Sequence, residues 1–132
     1  LADNEILISL DFPLPAPRSS DAYLRMIPRT EMDIAVVGAA VALTLDVSGV
    51  CTYARVAIGA VAPAALLVPA AADALMGSKL DDAALRRAAA AASKAASPIT
   101  DKRGTAEYRK KIVGVLVRRA AAIAKARIEA QV

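Results

Sequence analysis

The chain of 132 residues has the length of one domain, and its 57% hydrophobic content excludes a disordered chain. It has no His and one Cys, which excludes a Ser-His-Asp or Cys-His nucleophile, a zinc site, a Cys-bound iron–sulfur cluster and an internal disulfide. The net charge is +4, but residues 1–101 carry −3 and residues 102–132 carry +7, so the basic character belongs to the end of the chain.

The first part of the chain combines a predicted strand with a connector. Branched residues at 5–11 predict a short strand. Residues 12–18 contain three prolines, which remove backbone donors and fix φ, and they predict an extended connector. The acidic start at Leu1 does not fit a secretory signal peptide, and because it lacks Met we expect the chain to be a piece of a longer protein.

Three more strands are predicted between residues 22 and 61. Residues 22–27 favour a short strand, and a polar loop at 28–32 follows it. Residues 34–45 are apolar and end in a period of two, which is typical of a strand. Asp46-Val47-Ser48-Gly49 is turn material, and residues 50–61 form a second long strand, so a hairpin is predicted.

Strict alternation also predicts the two faces of these strands. It places Cys51 with Tyr53 and Arg55 on one face, and Thr52 with Ala54 and Val56 on the other. We expect Cys51 to be a small buried side chain and Arg55 to lie at an edge or on the surface. One face carries small residues, which we expect to let a helix backbone approach closely; they are Ala40, Ala42, Ala57 and Gly59.

Three helices are predicted after the strands, at residues 69–76, 81–96 and 105–130. Pro69 lies in the first turn of one helix with Gly77 just past its end, and Asp81-Asp82 opens the next. On the last helix a predicted apolar face comprises Tyr108, Ile112, Val115, Leu116 and Ile123, and the opposite face carries Lys110, Lys111, Arg118 and Lys125. Strands followed by helices predict an α+β domain, a three- to four-stranded antiparallel sheet with about three helices packed on it.

The basic last helix has two interpretations. It is either an ordinary helix with a solvated polar face or a binding module for nucleic acid or a partner, without an enzymatic role. The near absence of aromatic side chains argues against single-strand binding, and we expect no nucleic-acid partner. The longest uncharged run, residues 56–72, is shorter than the roughly 20 residues that span a bilayer, so we expect no membrane partner.

Signatures of catalysis are missing from the sequence. Its glycines form neither G-x-G-x-x-G nor G-x-x-x-x-G-K-[ST], so the sequence predicts no phosphate-cradling loop. Serines such as Ser48 lack a base, and Asp81-Asp82 is interpreted as a helix start. The residues alone therefore predict an α+β module that hosts no catalytic or metal chemistry.

An ordered set of segments nevertheless resembles a known family. The two most specific are Asp-Ile-Ala-Val-Val at 33–37 and Ala-Arg-Val-Ala-Ile-Gly-Ala-Val-Ala-Pro at 54–63. The remaining segments lie at residues 5–7, 22–25, 98–101, 107–109 and 115–120, together with Arg29. Over roughly residues 5–125 the chain resembles the C-terminal domain of the FAD-binding medium subunit of molybdenum hydroxylases, the family that includes carbon monoxide dehydrogenase and xanthine dehydrogenase.

The resemblance implies a three-part oxidoreductase. A large subunit would hold molybdopterin, an iron–sulfur small subunit would relay electrons, and the medium subunit would pass them from FAD to an external acceptor. FAD would be bound mainly by a missing upstream FAD-binding domain and would be absent from this fragment, which is itself not catalytic. We accordingly expect residues 1–132 to be one domain of a cytoplasmic enzyme.

The resemblance also implies a set of flavin contacts. A family Lys that touches FAD matches Arg25 here, and the following loop, near the flavin ring in relatives, matches Arg29, Met32, Asp33 and Ile34. A cation and backbone amides at that place could stabilise reduced, anionic flavin. From the residues alone, Asp33 could equally be a turn or N-cap residue, and Arg29 a solvated loop charge.

Overall fold

The sheet has four antiparallel strands that follow one another in space as they do in the chain. The computed structural model describes residues 1–29 and 32–131, so the middle of the predicted polar loop, residues 30–31, lies outside the described residues. The strands, in the order β1-β2-β3-β4, are β1 Ser19–Met26, β2 Val37–Leu45, β3 Cys51–Gly59 and β4 Leu66–Leu67. The helices of the described chain are α1 Pro69–Asp73, α2 Asp82–Ala95 and α3 Ala106–Glu129. The predicted α+β class is confirmed.

The turn between β2 and β3 forms where the sequence predicts it. One Asp46 carboxylate oxygen accepts hydrogen bonds from the Ser48 amide at 2.8 Å, the Ser48 hydroxyl at 2.7 Å and the Val50 amide at 2.9 Å. Gly49 has a φ of 80°, in the left-handed region that a glycine adopts at little cost. The Ser48 hydroxyl, followed by the Val50 amide, holds the pKa of Asp46 below its usual value.

A β-bulge makes part of the predicted face assignment wrong. Thr44 pairs with Tyr53 but Leu45 pairs with Cys51, so Thr52 is an extra residue in β3. Cys51 therefore lies with Ala54 and Val56 in the core, whereas Thr52 is exposed. A strict period of two cannot anticipate an inserted residue. The prediction that Cys51 is buried is confirmed.

The helices cover one face of the sheet, which we call the inner face; on β2 it comprises Val37, Ala39, Val41, Leu43 and Leu45, all nearly fully buried. Helix α3 packs against β1 and β2, α1 packs against β3, and α2 lies against α1 and α3. The small residues Ala40, Ala42 and Ala57 lie instead on the opposite, partly exposed face, with Tyr23 and Arg55. These five residues define the outer face. The expectation that a helix packs on the small-residue face is wrong, because the larger branched residues remove more apolar area from water.

Helix α3 buries a different set of residues from the one predicted. Tyr108 and Ile123 are exposed, whereas Leu116 is buried as expected. The buried side consists of Arg109, Val113, Gly114, Leu116, Val117, Ala120, Ala121, Ala124 and Ile128. At Gly114 an added Cβ would lie 2.8 Å from Ser93 Oγ and 3.1 Å from the Ala89 carbonyl oxygen. Close approach of α2 and α3 therefore selects small residues, which a search for large apolar side chains overlooks.

The helix ends agree with the sequence signals. The Asp81 carboxylate accepts a hydrogen bond from the Ala84 amide at the start of α2, and the Thr105 hydroxyl accepts one from the Tyr108 amide at the start of α3. Helix α1 is shorter than expected and ends at Asp73.

The predicted strand at residues 5–11 is wrong. These residues form no strand, and their large apolar side chains, such as Ile6 and Ile8, are exposed. A strand needs a neighbour for its backbone N–H and C=O groups, and in the described chain both edges of the sheet leave this segment unpaired. Branched composition alone cannot tell whether such a neighbour lies within the same chain.

Replacing Gly114 by Val should destabilise the fold. The added atoms would meet the Ala89 backbone and force α2 and α3 apart, and such overpacking costs about 1–3 kcal/mol. Urea unfolding of the 132-residue chain measures the change. Ala122→Val, at an exposed position of the same helix, is the matched control and should stay within about 0.7 kcal/mol of the wild type. Equal stabilities for the two variants would show that the α2–α3 contact is looser than described.

Candidate functional site

The sequence-predicted site residues lie at the end of the sheet where β1 ends and β2 begins. The Val36 amide donates a hydrogen bond to the Met26 carbonyl at 2.9 Å, and this bond closes a loop that we call the β1–β2 loop (residues 27–29 and 32–36 as described). The structure brings Arg29, Met32, Asp33 and Ile34 together on this loop. Arg25 is exposed beside it at the end of β1, without an ion pair to the described loop residues.

Two apolar side chains of the loop point into water. Met32 is 100% exposed and Ile34 is 67% exposed. Met32 also has a φ of 47°, a left-handed conformation that costs a non-glycine residue roughly 1–2 kcal/mol. Surrounding contacts must hold such a conformation in place, and strained residues of this kind are common at functional sites.

Asp33 lies in the loop with its carboxylate turned inward. Its side chain is 3% exposed, and its Oδ2 lies 3.5 Å from Arg29 Nε while its Oδ1 lies 3.9 Å from Arg103 Nε. The same Oδ1 accepts a hydrogen bond from the Ile34 amide at 2.9 Å. Asp33 thus stabilises the loop from within, and the Arg29 side chain that pairs with it is 76% exposed.

A second turn, Asp101–Gly104, anchors the β1–β2 loop; we call it the anchor turn. Asp101 Oδ1 accepts hydrogen bonds from the Arg103 amide at 2.8 Å and from Arg109 Nη2 at 2.6 Å. Arg109 Nη1 in turn donates to the Val36 carbonyl at 3.1 Å. Asp101 therefore holds the guanidinium of Arg109, which reaches Val36, and the backbone of Arg103, whose side chain reaches Asp33.

Arg109 is unusual in its burial. It is 4% exposed, and among residues 1–29 and 32–131 it is the one charged residue that is buried as a whole; its Nε has no hydrogen-bond partner. A buried guanidinium is tolerated where its charge is paired, as Asp101 pairs it here. Sequence reasoning missed Asp101, Arg103 and Arg109 as site residues. The sequence does contain a signal for Arg109, because this residue precedes Val113 by one helical turn. The two therefore lie on the same side of α3, which is the buried side.

The pKa of the Asp101 carboxyl group reflects this arrangement. The Arg103 amide, followed by the Arg109 guanidinium, holds the pKa of Asp101 below its usual value, because both stabilise the ionised carboxylate.

Burial raises the pKa of the Cys51 thiol, so this cysteine is a poor nucleophile and a poor metal ligand. Within the described residues, acidic and sulfur side chains form no group of three or more that could hold a metal ion.

The basic residues of α3 are partly engaged within the chain. Arg118 pairs with Asp82 at 2.9 Å, and Lys125 Nζ donates to the Lys79 carbonyl at 3.0 Å. Arg127 Nη1 donates to the Asp21 carbonyl at 2.6 Å. These contacts favour the interpretation of α3 as a packed helix with a solvated polar face. In the part of the chain that the structure describes, none of the helices has the length and apolar character needed to span a bilayer.

Comparison with known proteins gives a consistent result. Residues 22–124 match the family model of the CO dehydrogenase flavoprotein C-terminal domain. The chain is similar to the carbon monoxide dehydrogenase medium chain of Afipia carboxidovorans, with 39% identity over 123 residues that cover 93% of this chain and 42% of the relative. The chain therefore spans less than half the length of the relative.

Solved structures agree with the sequence matches. CO dehydrogenase from Oligotropha carboxidovorans superimposes with a TM-score of 0.82 at 39% identity, covering 87% of this chain and 40% of that one. Quinoline 2-oxidoreductase from Pseudomonas putida 86 gives a TM-score of 0.79 at 28% identity, with the same coverage.

Replacing Arg109 by Met should loosen the β1–β2 loop. The substitution keeps much of the apolar stem but leaves the buried Val36 carbonyl without its donor, which costs about 1–3 kcal/mol. Chemical unfolding gives the stability, and hydrogen exchange of the Ile34 and Val36 amides reports the loop. Arg87→Met, at an exposed position of α2, is the control. If exchange at Ile34 and Val36 stays unchanged in Arg109→Met, the anchor does not act on the loop.

The ion pair of Asp101 with Arg109 should make the stability of the fold depend on pH in the acid range. Because folding lowers the pKa of Asp101, its carboxylate contributes fully to the stability of the fold above the usual pKa of 3.8. This contribution disappears as the pH falls through the lower pKa of the folded state. The stability difference between the wild type and Asp101→Asn should therefore shrink from neutral pH towards about pH 2. Urea titrations across this range measure it, with exposed Asp73→Asn as control. A pH-independent difference would contradict the ionic role.

Proposed function

The chain belongs to the family of CO dehydrogenase flavoprotein C-terminal domains, and we propose that it serves as the C-terminal domain of the FAD-containing electron-transfer subunit of a molybdenum hydroxylase. In that enzyme electrons pass from molybdenum through iron–sulfur clusters to FAD and on to an external acceptor. The observation that carries the proposal is the family match over residues 22–124, in a chain whose residues predict no catalytic group of their own.

The domain's proposed task is to cover one part of the flavin. FAD, when bound, supplies the electron-accepting ring. Met32 and Ile34 offer exposed apolar side chains that fit against an aromatic ring system and exclude water from it. Exposed Arg25 and Arg29 lie at the same end of the sheet and fit the negative charge of a reduced flavin or of its phosphates.

Asp33 belongs to the same proposed site in a different role. Its carboxylate is nearly inaccessible and already paired with Arg29 and Arg103, so it is poorly placed to touch a ligand. We propose that it holds the loop backbone and the Arg29 side chain in position. Preorganisation of this kind reduces the entropy that a loop loses when a ligand binds.

The proposal requires several partners. Because the sequence contains no glycine-rich phosphate loop, an upstream FAD-binding domain of the same polypeptide must bind most of the cofactor. An iron–sulfur small subunit and a molybdopterin large subunit complete the proposed assembly, in line with the similarity to CO dehydrogenases. A cytoplasmic location, without nucleic acid or membrane as partner, is part of the same proposal; the single free Cys51 is compatible with a reducing compartment.

FAD affinity of the full-length protein tests the proposed contacts. Arg25→Ala and Ile34→Asp should each raise the Kd for FAD roughly 10-fold, because one removes a charge-assisted contact and the other places a carboxylate beside the ring. Flavin fluorescence titration of the apoprotein measures the Kd, and the 132-residue chain alone should bind FAD weakly or not at all. Arg87→Ala on the exposed side of α2 is the control.

The outcomes are separable. If either variant retains the wild-type Kd, that residue lies outside the flavin site. A full-length protein that binds no FAD at all would contradict the proposed function itself.

A further inference from the structure

We propose that strand β1 is an interface through which two copies of this chain pair edge to edge and form one continuous antiparallel sheet. The proposal goes beyond the proposed function and does not rest on it, because it concerns the chain without flavin. Its arguments are the open edge of β1, the order of charges along that strand and an apolar groove beside it.

Strand β1 lies at an edge of the sheet, and its backbone groups alternate between β2 and the open side. The carbonyl oxygens of Arg18 and Met26 accept hydrogen bonds from amides on the β2 side, at 3.0 and 2.9 Å, so every second residue between them also faces β2. The remaining residues direct their amides and carbonyls to the open side; these are Ser19, Asp21, Tyr23 and Arg25. Consistent with this direction, Arg127 Nη1 on α3 donates to the Asp21 carbonyl at 2.6 Å.

The open side of β1 is a template for a further strand. Within the described residues no strand pairs with it. An edge strand with free amides and carbonyls readily pairs with another chain, and this edge is eight residues long. The chemistry of its side chains indicates which strand fits.

The charges along β1 fit a second copy of the same strand. Asp21, Tyr23 and Arg25 are exposed and share one side of the strand, with Tyr23 in the middle. When two β1 strands run antiparallel with their Tyr23 residues opposite each other, Asp21 of each copy stands opposite Arg25 of the other. Opposite charges directly across a strand pair stabilise it, whereas like charges destabilise it. The edge is therefore self-complementary about a two-fold axis.

The backbone allows this register, and the charges select it. Tyr23 directs both its amide and its carbonyl to the open side, so two opposite Tyr23 residues can exchange a pair of hydrogen bonds. Asp21 and Arg25 can do the same, because the Asp21 carbonyl has a second lone pair beside its contact with Arg127. Registers centred on Ala22 or Leu24 leave both charges without an opposite charge across the strand pair.

An apolar groove beside the edge adds a contact on the helix side of the sheet. The groove has a volume of about 500 Å³ and lies between β1 and α3. Its lining residues are Leu24, Arg25, Leu116, Arg119, Ala122 and Ile123. Ile123 is 36% exposed there. In the proposed register Leu24 stands opposite Ala22 of the second copy, so the second copy covers the groove and removes these apolar side chains from water.

Arg25 relates the dimer to the proposed flavin site. One side chain cannot face Asp21 of a second copy and contact a flavin at the same time. The dimer therefore belongs to the flavin-free chain, in which pairing the two edges with each other protects both from other strands.

Sedimentation velocity of the 132-residue chain without flavin tests the pairing; the chain encloses a core of its own. The wild type should show a monomer–dimer equilibrium. Asp21→Arg and Arg25→Asp should each raise the dimer Kd roughly 10-fold or more, because like charges would then face each other at both ends of the strand pair. The double variant restores opposite charges and should return to within about 3-fold of the wild-type Kd. Arg87→Asp, at an exposed position of α2, is the control and should leave the Kd unchanged.

A backbone variant tests whether the edge itself pairs. Tyr23→Pro removes the amide that faces the open side and should abolish the dimer, whereas Tyr23→Thr keeps this amide and should still dimerise. Thermal unfolding checks that the variants fold. The two charge variants should retain the wild-type Tm, because both side chains are exposed in the monomer.

Several outcomes would overturn the proposal. They are a wild type that stays monomeric up to about 1 mM, a double charge variant as weak as the single variants, or a dimer that persists in Tyr23→Pro. Deletion of residues 1–11 should leave the Kd unchanged; loss of the dimer would instead assign the edge to that segment of the second copy. Because the dimer is measured without flavin, its failure leaves the proposed flavin role intact, and the FAD Kd of the full-length protein tests that role separately.

Discussion

The buried guanidinium of Arg109 is the interaction on which the candidate site depends. It joins α3 to the anchor turn through Asp101 and to the start of β2 through the Val36 carbonyl. The β1–β2 loop can therefore place Met32 in a left-handed conformation and turn two apolar side chains into water without collapsing onto the core. A loop fixed in this way resembles a preformed contact surface more than a flexible connection.

The second constraint is that the helices cover only one face of the sheet. Alanine makes up about a quarter of the chain, and much of it lies where α2, α3 and the sheet approach closely, as at Ala88, Ala92 and Ala120. Small residues there allow a thin, well-packed layer, although each buries little area. Alanines on the outer face have no such partner within the described chain, so the same residue type forms a core on one side and a groove on the other.

The sequence predicts the fold class, the β2–β3 hairpin and the helix starts because local chemistry decides them. The Asp46 turn, the Asp81 cap and the apolar alternation of β2 act over a few residues, and the structure contains all three. Contacts between distant residues decide the features that the sequence does not predict correctly. The bulge at Thr52 depends on pairing with β2, and the choice of inner face depends on which side the helices cover.

The candidate site shows the same difference between features set by local sequence and features set by contacts between distant residues. Resemblance to relatives selects Arg25, Arg29, Met32, Asp33 and Ile34, but it does not reveal that the Asp33 carboxylate faces inward and meets Arg103 from a turn seventy residues later. Nor does it assign a role to Asp101, one oxygen of which accepts hydrogen bonds from the Arg103 amide and the Arg109 guanidinium. The residues proposed to touch a ligand can thus be selected along the chain, whereas the residues that position them emerge only from the fold. This order is expected if the domain contributes a shaped surface, as proposed, because such a role depends on how rigidly that surface is held.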